Sequence, residues 1–175
     1  MYYSTAYMSP VGLITLASDG DSLVGLWFEG QKYYGGLIRD LMTAGDDVPV
    51  FGTAKEWLDM YFAGGNPGIS MLPLAPIGSE FRQRVWDCLC EIPYGQVVTY
   101  GDIAARVADK TDRKVMSARA VGGAVGHNPI SIIIPCHRVV GAGGKLTGYA
   151  AGVDVKARLL RLEGVDCHVG FTSSQ

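Results

Sequence analysis

Disulfides, metal clusters and membrane spans are all missing from this 175-residue sequence, and each absence removes a class of protein. Four cysteines (Cys88, Cys90, Cys136 and Cys167) are few for a disulfide scaffold, and none stands in a C-x-x-C pair of zinc or redox spacing. All four read as reduced thiols, Cys88 and Cys90 as core positions of a helix. Residues 1–80 hold no histidine or cysteine, so that half offers no zinc site, and we expect neither a metal nor a cofactor in the chain. No apolar run approaches the ~20 residues that span a bilayer. Met1-Tyr2-Tyr3-Ser4-Thr5 lacks the basic-then-apolar order of a signal peptide, so the expected location is the cytoplasm, or the nucleus of a eukaryote. Basic side chains are scarce at first: residues 1–80 carry three against nine acidic ones, a net of −6, whereas residues 81–175 carry twelve against eight, a net of +4. Such asymmetry marks either an anionic partner for the second half or a solvated basic face.

What is present is a hydrophobic content of 48%, enough for a proper core in one or two small domains. Residues 2–8, 12–17 and 22–28 are strand-like, the last two joined at Ser18-Asp19-Gly20-Asp21, which predicts an antiparallel meander. A helix is predicted over 53–62, with Thr53 as N-cap, Trp57, Leu58, Tyr61 and Phe62 at helical spacing, and Gly64-Gly65 as its stop. The stretch from Gly64 to Gly78, with Pro67, Pro73 and Pro76, reads as a linker and divides the chain into 1–78 and 79–175. Ser79 then caps a helix striped by Phe81, Val85, Cys88 and Leu89 and stopped by Pro93-Tyr94-Gly95.

Two short helices follow, about 101–108 and 117–126, on either side of Asp109-Lys110-Thr111-Asp112-Arg113-Lys114, a helix-turn-helix-like arrangement. In the second, Ala118, Val121 and Val125 share a core-facing side, with Arg119, Gly122 and Gly123 largely away from it. Two interior glycines cost about 1 kcal/mol each relative to alanine, so this surface is stripped for a close approach, either of DNA or of another helix. Gly141-Ala142-Gly143-Gly144 reads as a hairpin-like turn or wing, and Asp154 as the N-cap of a last helix with Val155, Leu159 and Leu162 on one face and Gly164 at its end.

Chemistry is densest in Ile132-Ile133-Ile134-Pro135-Cys136-His137-Arg138-Val139. Three β-branched residues predict a buried strand; Pro135 ends its ladder, and Cys136 opens an irregular segment at the edge of a core. A free thiol is only a few per cent ionised at pH 7, and lowering its pKa from ~8.5 to ~6 raises the reactive fraction about thirtyfold, which a nearby imidazole or helix N-terminus can do. In extended backbone Cys136 and His137 point to opposite faces, so a bridging water rather than a direct bond is expected between them. A buried structural thiol is the other reading of these residues.

Pro135-Cys136-His137-Arg138-Val139 closely resembles the active-site signature of the O6-alkylguanine-DNA alkyltransferases, the methylated-DNA–protein-cysteine methyltransferases. Val98-Thr99-Tyr100-Gly101-Asp102-Ile103-Ala104, Ala118-Arg119-Ala120-Val121-Gly122-Gly123-Ala124, Asn128-Pro129, Gly148-Tyr149, Lys156 and Leu159-Leu160-Arg161-Leu162-Glu163-Gly164 fall in that family's order and spacing. The resemblance is strong over residues 79–165 and loose before them. It implies an α/β protein: a small N-terminal antiparallel-sheet α+β domain, ribonuclease H-like, followed by a mainly helical winged-helix C-terminal domain.

The same resemblance implies a monomeric repair protein that takes the alkyl group from O6-alkylguanine in duplex DNA, with O4-alkylthymine as a second possible substrate, onto Cys136. A thioether does not hydrolyse, so each molecule acts once. Carried over by position, Glu163 orients His137, which works through a water as the base for Cys136. Tyr100 gives a proton or hydrogen bond to the guanine N3, and Asn128 braces the turn leading to the thiol. The base must leave the stack to react, and Arg119 fills its place. Ala118, Gly122, Gly123 and Arg138 complete a DNA-binding set in the minor groove. Tyr149, Val139, Ala150, Ala151 and Lys156 line the base pocket. Ala151-Gly152 stands where the family commonly has Gly-Gly, which predicts slower reaction with bulky adducts than with methyl. Asp102, where Glu or Gln is frequent, reads as a helix-start residue. Three rival readings are a damage sensor of the alkyltransferase-like kind, which would lack the reactive cysteine, a winged-helix regulator with an incidental thiol, and a cysteine hydrolase.

Overall fold

The computed structural model describes residues 1–112 and 116–167, so Arg113, Lys114 and the tail beyond Cys167 lie outside the described residues. The chain forms two compact units, Met1–Ile77 with Pro129–Ile133, and Gly78–Asn128 with the chain from Ile134 on. A boundary placed only at 78/79 misses the five-residue return to the first unit.

In the first unit β1 (Tyr2–Ser9), β2 (Gly12–Ser18) and β3 (Leu23–Phe28) make an antiparallel meander. Asp19 Oδ1 accepts from the backbone N–H groups of Asp21 and Ser22 and so closes the β2–β3 turn. A short fourth strand, β4 (Met42–Ala44), runs parallel to β1, giving the order β3-β2-β1-β4. The sheet is therefore mixed, not antiparallel throughout; three residues are too few to show a period of two. Every residue of β3 is buried, and Gly25 is required there because a Cβ would lie 2.1 Å from the Trp27 indole.

Helix α1 (Pro49–Phe62) starts four residues before the expected Thr53, with Pro49 in its first turn, where a locked φ and a missing N–H cost nothing. It buries Phe51, Ala54, Trp57, Leu58 and Tyr61, the Trp57 and Tyr61 rings stacked with centroids 5.6 Å apart. Two segments run along the outer edge of β3. At its start Leu23 N–H donates to the Pro73 carbonyl at 2.8 Å and Ala75 N–H to the Leu23 carbonyl at 2.9 Å. Further on, Leu26 N–H donates to the Pro129 carbonyl at 2.8 Å and Ser131 N–H to the Leu26 carbonyl at 3.1 Å.

The strand expected at Ile132–Ile134 does not form. Ile132 sits at φ +70°, a left-handed conformation that β-branched residues rarely adopt, and Ile133 N–H turns back onto the Ser131 carbonyl at 2.8 Å. All three isoleucines are buried. The apolar run signals burial, which packing supplies here without a ladder.

The second unit is mainly helical. Ser79 Oγ accepts from the Arg82 N–H to start α2 (Glu80–Cys90), where Cys88 is buried. After β5 (Val98–Thr99), Thr99 and Asp102 form a capping box that opens α3 (Tyr100–Lys110). Ser117 caps α4 (Ala118–Gly126). The three helices pack on one another, and Trp86 Nε1 donates to the Ala124 carbonyl at 2.9 Å. In α4 the buried side is Val121, Ala124 and Val125; Ala118 is exposed and not part of the core. Strand β6 (Val139–Val140) pairs parallel to β5, and the turn after it is closed by Gly141 N–H donating to the Lys145 carbonyl.

The last helix, α5 (Val153–Leu162), opens from Gly152 at φ +103°, so Asp154 is a first-turn residue and not the N-cap. Its buried face is Lys156, Ala157, Leu159 and Leu160, rotated from the expected Val155–Leu159–Leu162 stripe because a lysine occupies a core position. No helix among the described residues is long and apolar enough to cross a membrane.

Candidate active site

Cys136, His137 and Arg138 form one turn of 3-10 helix after Pro135. Successive side chains in such a turn are rotated by roughly 120°, so the three fan out instead of alternating as they would in extended chain. All three are buried.

His137 is oriented from below by Glu163. Its Nε2 donates to Glu163 Oε2 at 2.6 Å, which leaves the lone pair on Nδ1. Nδ1 is buried and meets no hydrogen-bond partner among the described residues, so there is no direct Cys136–His137 bond. Burial pushes the imidazole pKa below its usual value, the Glu163 carboxylate opposes this, and Arg138 and Lys156 reinforce it. The ring is neutral at pH 7 and free to accept a proton.

Arg138 is not on an open DNA-facing surface, as the resemblance implied. Its Nε and Nη2 grip Glu163 at 2.8 and 3.2 Å, Nη1 donates to the Ile92 carbonyl at 2.7 Å, and the guanidinium lies 5.7 Å from the Tyr94 ring centroid. Gly95 N–H adds a further donor to Glu163 at 3.1 Å. The carboxylate is thus fixed by a planar fork and a backbone amide while it fixes the imidazole. Tyr94, Gly95 and the second role of Arg138 escaped the sequence reading; the adjacency of Arg138 to His137 was the available signal.

Cys136 is a thiol at rest. Burial pushes its pKa up, and the pull of the Asn128 side chain, the Lys156 charge and the Tyr149 side chain only partly offsets that rise. A nearby imidazole or helix N-terminus can lower a thiol pKa, but here full desolvation overrides the polar neighbours, so a base must act. Asn128 also donates from Nδ2 to the Ile134 carbonyl at 2.8 Å, tying together the points where the chain leaves and re-enters this unit.

Tyr100 opens α3, half-buried, with Thr147 Oγ1 donating to its hydroxyl at 3.3 Å. Burial raises the phenol pKa, the Thr147 bond lowers it, and Cys136 raises it, so the phenol keeps its proton near the sulfur. Val139 is buried in β6, and Tyr149, Ala150 and Ala151 are half-buried in the loop before α5. Lys156 is completely buried, so it is no exposed lining group. Thr147, which reaches both Tyr100 and Lys156, carried no motif signal.

Along α4, Ala118 and Arg119 are exposed in the first turn, and Gly123 is exposed further along. A Cβ at Gly123 would meet no atom within 4 Å, and one at Gly122 would make only an ordinary 3.9 Å contact with the Tyr100 ring. Helix packing within this unit therefore does not require either glycine, which removes the second explanation for them.

Buried thiol, carboxylate-held imidazole and nearby phenol make up the chemistry of a thiol-dependent group-transfer protein, carried here on a helix-turn-helix unit. The comparisons narrow that class. Residues 1–76 match the 6-O-methylguanine DNA methyltransferase ribonuclease-like domain, and residues 80–165 the 6-O-methylguanine DNA methyltransferase DNA binding domain. A methylated-DNA–protein-cysteine methyltransferase of Haemophilus influenzae is 42% identical, covering 93% of this chain and 87% of the relative. One from Methanosarcina acetivorans is 44% identical, covering 94% and 99%. The crystal structure of Mycobacterium tuberculosis O6-methylguanine methyltransferase superposes with a TM-score of 0.80 at 39% identity, over 98% of this chain and 99% of that one. The chain belongs to the methylated-DNA–protein-cysteine methyltransferase family.

Proposed function

We propose that this protein repairs duplex DNA by moving the alkyl group of O6-alkylguanine onto Cys136, irreversibly and once per molecule. A related structure, that of Mycobacterium tuberculosis OGT in complex with DNA, superposes with a TM-score of 0.78 at 42% identity over 93% of this chain and 91% of that one. The observation that carries the reading is the 2.6 Å Glu163–His137 bond, which leaves a buried imidazole lone pair beside a buried thiol.

His137 Nδ1 takes the thiol proton through a water. The sulfur lone pair forms the S–C bond as the C–O6 bond breaks, and that electron pair departs with the guanine. Tyr100 supplies a hydrogen bond or proton to N3 as negative charge grows on the base, and the proton lost by the thiol balances the one guanine finally gains. No group in the site can hydrolyse the thioether, so Cys136 is consumed.

The nucleotide must rotate out of the duplex to reach a buried sulfur, at a cost of a few kcal/mol. Arg119 fills the vacated place, while Ala118, Gly122 and Gly123 let α4 sink into the minor groove. Tyr149, Ala150, Ala151 and the Val139 backbone line the base pocket. The second unit, residues 78–128 and the chain from 134 on, carries binding and transfer, residues 1–77 with 129–133 form the other unit, and the protein acts as a monomer in the compartment that holds the DNA, cytoplasm or nucleus.

The test is incubation with a duplex containing O6-methylguanine, followed by weighing the Cys136 peptide. A stoichiometric gain of one methylene, absent in Cys136→Ser, is expected. An unmodified Cys136 on tightly bound lesion DNA would indicate a damage sensor instead, and no preference for the lesion a regulator.

A further inference from the structure

Thr147 belongs to no motif, yet three features of the second unit converge on its side chain. The parallel β5–β6 pair sets Thr99 against Val140, so Tyr100 and Gly141 leave the same end of the ladder. Leu146, buried against Val140, Ala157 and Leu160, returns the chain to that end. A Cβ at Gly141 would lie 2.9 Å from the Thr147 methyl, although the φ of −74° there suits any residue. Gly141 therefore makes room for Thr147, and the β-branched side chain, wedged on its methyl side, holds its hydroxyl in one direction.

That direction is toward the phenol. Thr147 Oγ1 donates to the Tyr100 hydroxyl oxygen at 3.3 Å, and among the described residues each hydroxyl is the other's one hydrogen-bond partner. The turn does not need this bond, because Gly141 N–H closes it on the Lys145 carbonyl at 2.7 Å. With Thr147 as donor, the phenol's own proton is left to point elsewhere. Burial and the nearby sulfur hold that proton on the phenol, whereas the Thr147 bond loosens it.

We propose that Thr147 is the positioning residue of the general acid: it turns the Tyr100 proton toward the departing guanine and stabilises the phenol oxygen as that proton leaves. The role rests on Cys136 being the alkyl acceptor, with Tyr100 facing the base. As the C–O6 bond breaks, its electron pair goes to the guanine, the Tyr100 O–H bond lengthens and an N3–H bond forms. Negative charge grows on the phenol oxygen, where the Thr147 donor already points. Thr147 keeps its own proton throughout.

The experiment compares two methyl donors on the full-length protein, a duplex containing O6-methylguanine and methyl iodide, each followed in single turnover by the mass of the Cys136 peptide. Iodide leaves without a proton, so it reports the thiol alone. A general acid contributes about a hundredfold or more, and a donor acting through it a smaller share, so Thr147→Val should lower the ratio of DNA rate to methyl iodide rate about tenfold. Valine keeps the shape and the methyl contact and loses only the donor. Thr147→Ser, which keeps the donor, should keep most of the ratio. In a Tyr100→Phe background the same valine should change nothing. The Tyr100 titration midpoint, followed by NMR on ring-labelled tyrosine, should rise in Thr147→Val because a donor to the phenolate is lost. Thr147→Ala, equally without a donor, carries the same expectations and guards against a valine that does not fold.

An unchanged ratio or an unmoved Tyr100 midpoint would overturn the proposal. So would an equal loss in the Tyr100→Phe background, which would mean that Thr147 acts on the loop and not through the phenol. A loss in Thr147→Ser as large as valine's overturns it too. Failure of the repair reading looks different: wild-type protein would leave the lesion intact while methyl iodide still alkylated Cys136, and the role of Thr147 would fall with it.

Discussion

Glu163 accepts from His137, Arg138 and Gly95, so removing Arg138 leaves a buried carboxylate without its main counter-charge. Breaking a buried pair from one side costs about 3–5 kcal/mol. Arg138→Ala should therefore lose stability on that scale in a urea melt, while the folded fraction keeps its affinity for undamaged duplex. Loss of DNA affinity without loss of stability would return Arg138 to the DNA-contacting role that the family resemblance implied. At the pocket loop, Ala151 carries one methyl group more than the family's usual glycine. Ala151→Gly should speed reaction with O6-benzylguanine relative to O6-methylguanine, and an unchanged ratio of the two rates would show that the methyl does not limit the pocket. The identity of Cys136, His137, Tyr100 and Glu163 was legible because their spacing repeats a family signature. Their protonation was not: whether a thiol ionises depends on burial, and burial comes from residues far away in sequence.

Among the elements, α4 gives the sharpest contrast between stability and binding. Its Gly123 position is open, so a methyl group there meets nothing in the protein, and alanine is the better helix former by about 1 kcal/mol. Gly123→Ala should raise the melting temperature slightly and weaken DNA binding, read by fluorescence anisotropy on an undamaged duplex. Equal affinity would mean that this surface is bare for no reason connected with DNA. The cap of α2 was readable from Ser79, whose side chain closes its first turn; in α3 only Asp102 was read as a helix-start residue, and its capping partner Thr99 comes from the structure. Two elements misled for opposite reasons. The isoleucine run has strand composition but turns at Ile132, and α5 hides its true inner face because Lys156 breaks the apolar period. Strand β4 is too short to have carried a pattern at all.

At the scale of the molecule, pH reads the buried charges together. Lys156 has a pKa of about 8 in the folded state against an ordinary 10.5. The unfolded chain therefore binds the extra proton between those values, and the lysine's contribution to stability is lost as pH falls from about 10.5 to about 8. Lys156→Met should thus be more stable than wild type by about 3 kcal/mol at neutral pH, with the advantage shrinking toward zero as pH rises through that window. Denaturation at a series of pH values checks this, and an advantage that does not change with pH would count against a buried ammonium. The first unit also has a particular order of assembly. On its outer edge Leu26 of β3 pairs with Pro129 and Ser131. Pro73 and Ala75 cover the Leu23 end of that edge early in synthesis, but the Leu26 end stays bare until all of α2, α3 and α4 have left the ribosome, and an unpaired edge invites strand-to-strand aggregation. A nascent chain arrested before Pro129 would be a sticky one, and the segment that seals it is the same one that leads directly to Cys136.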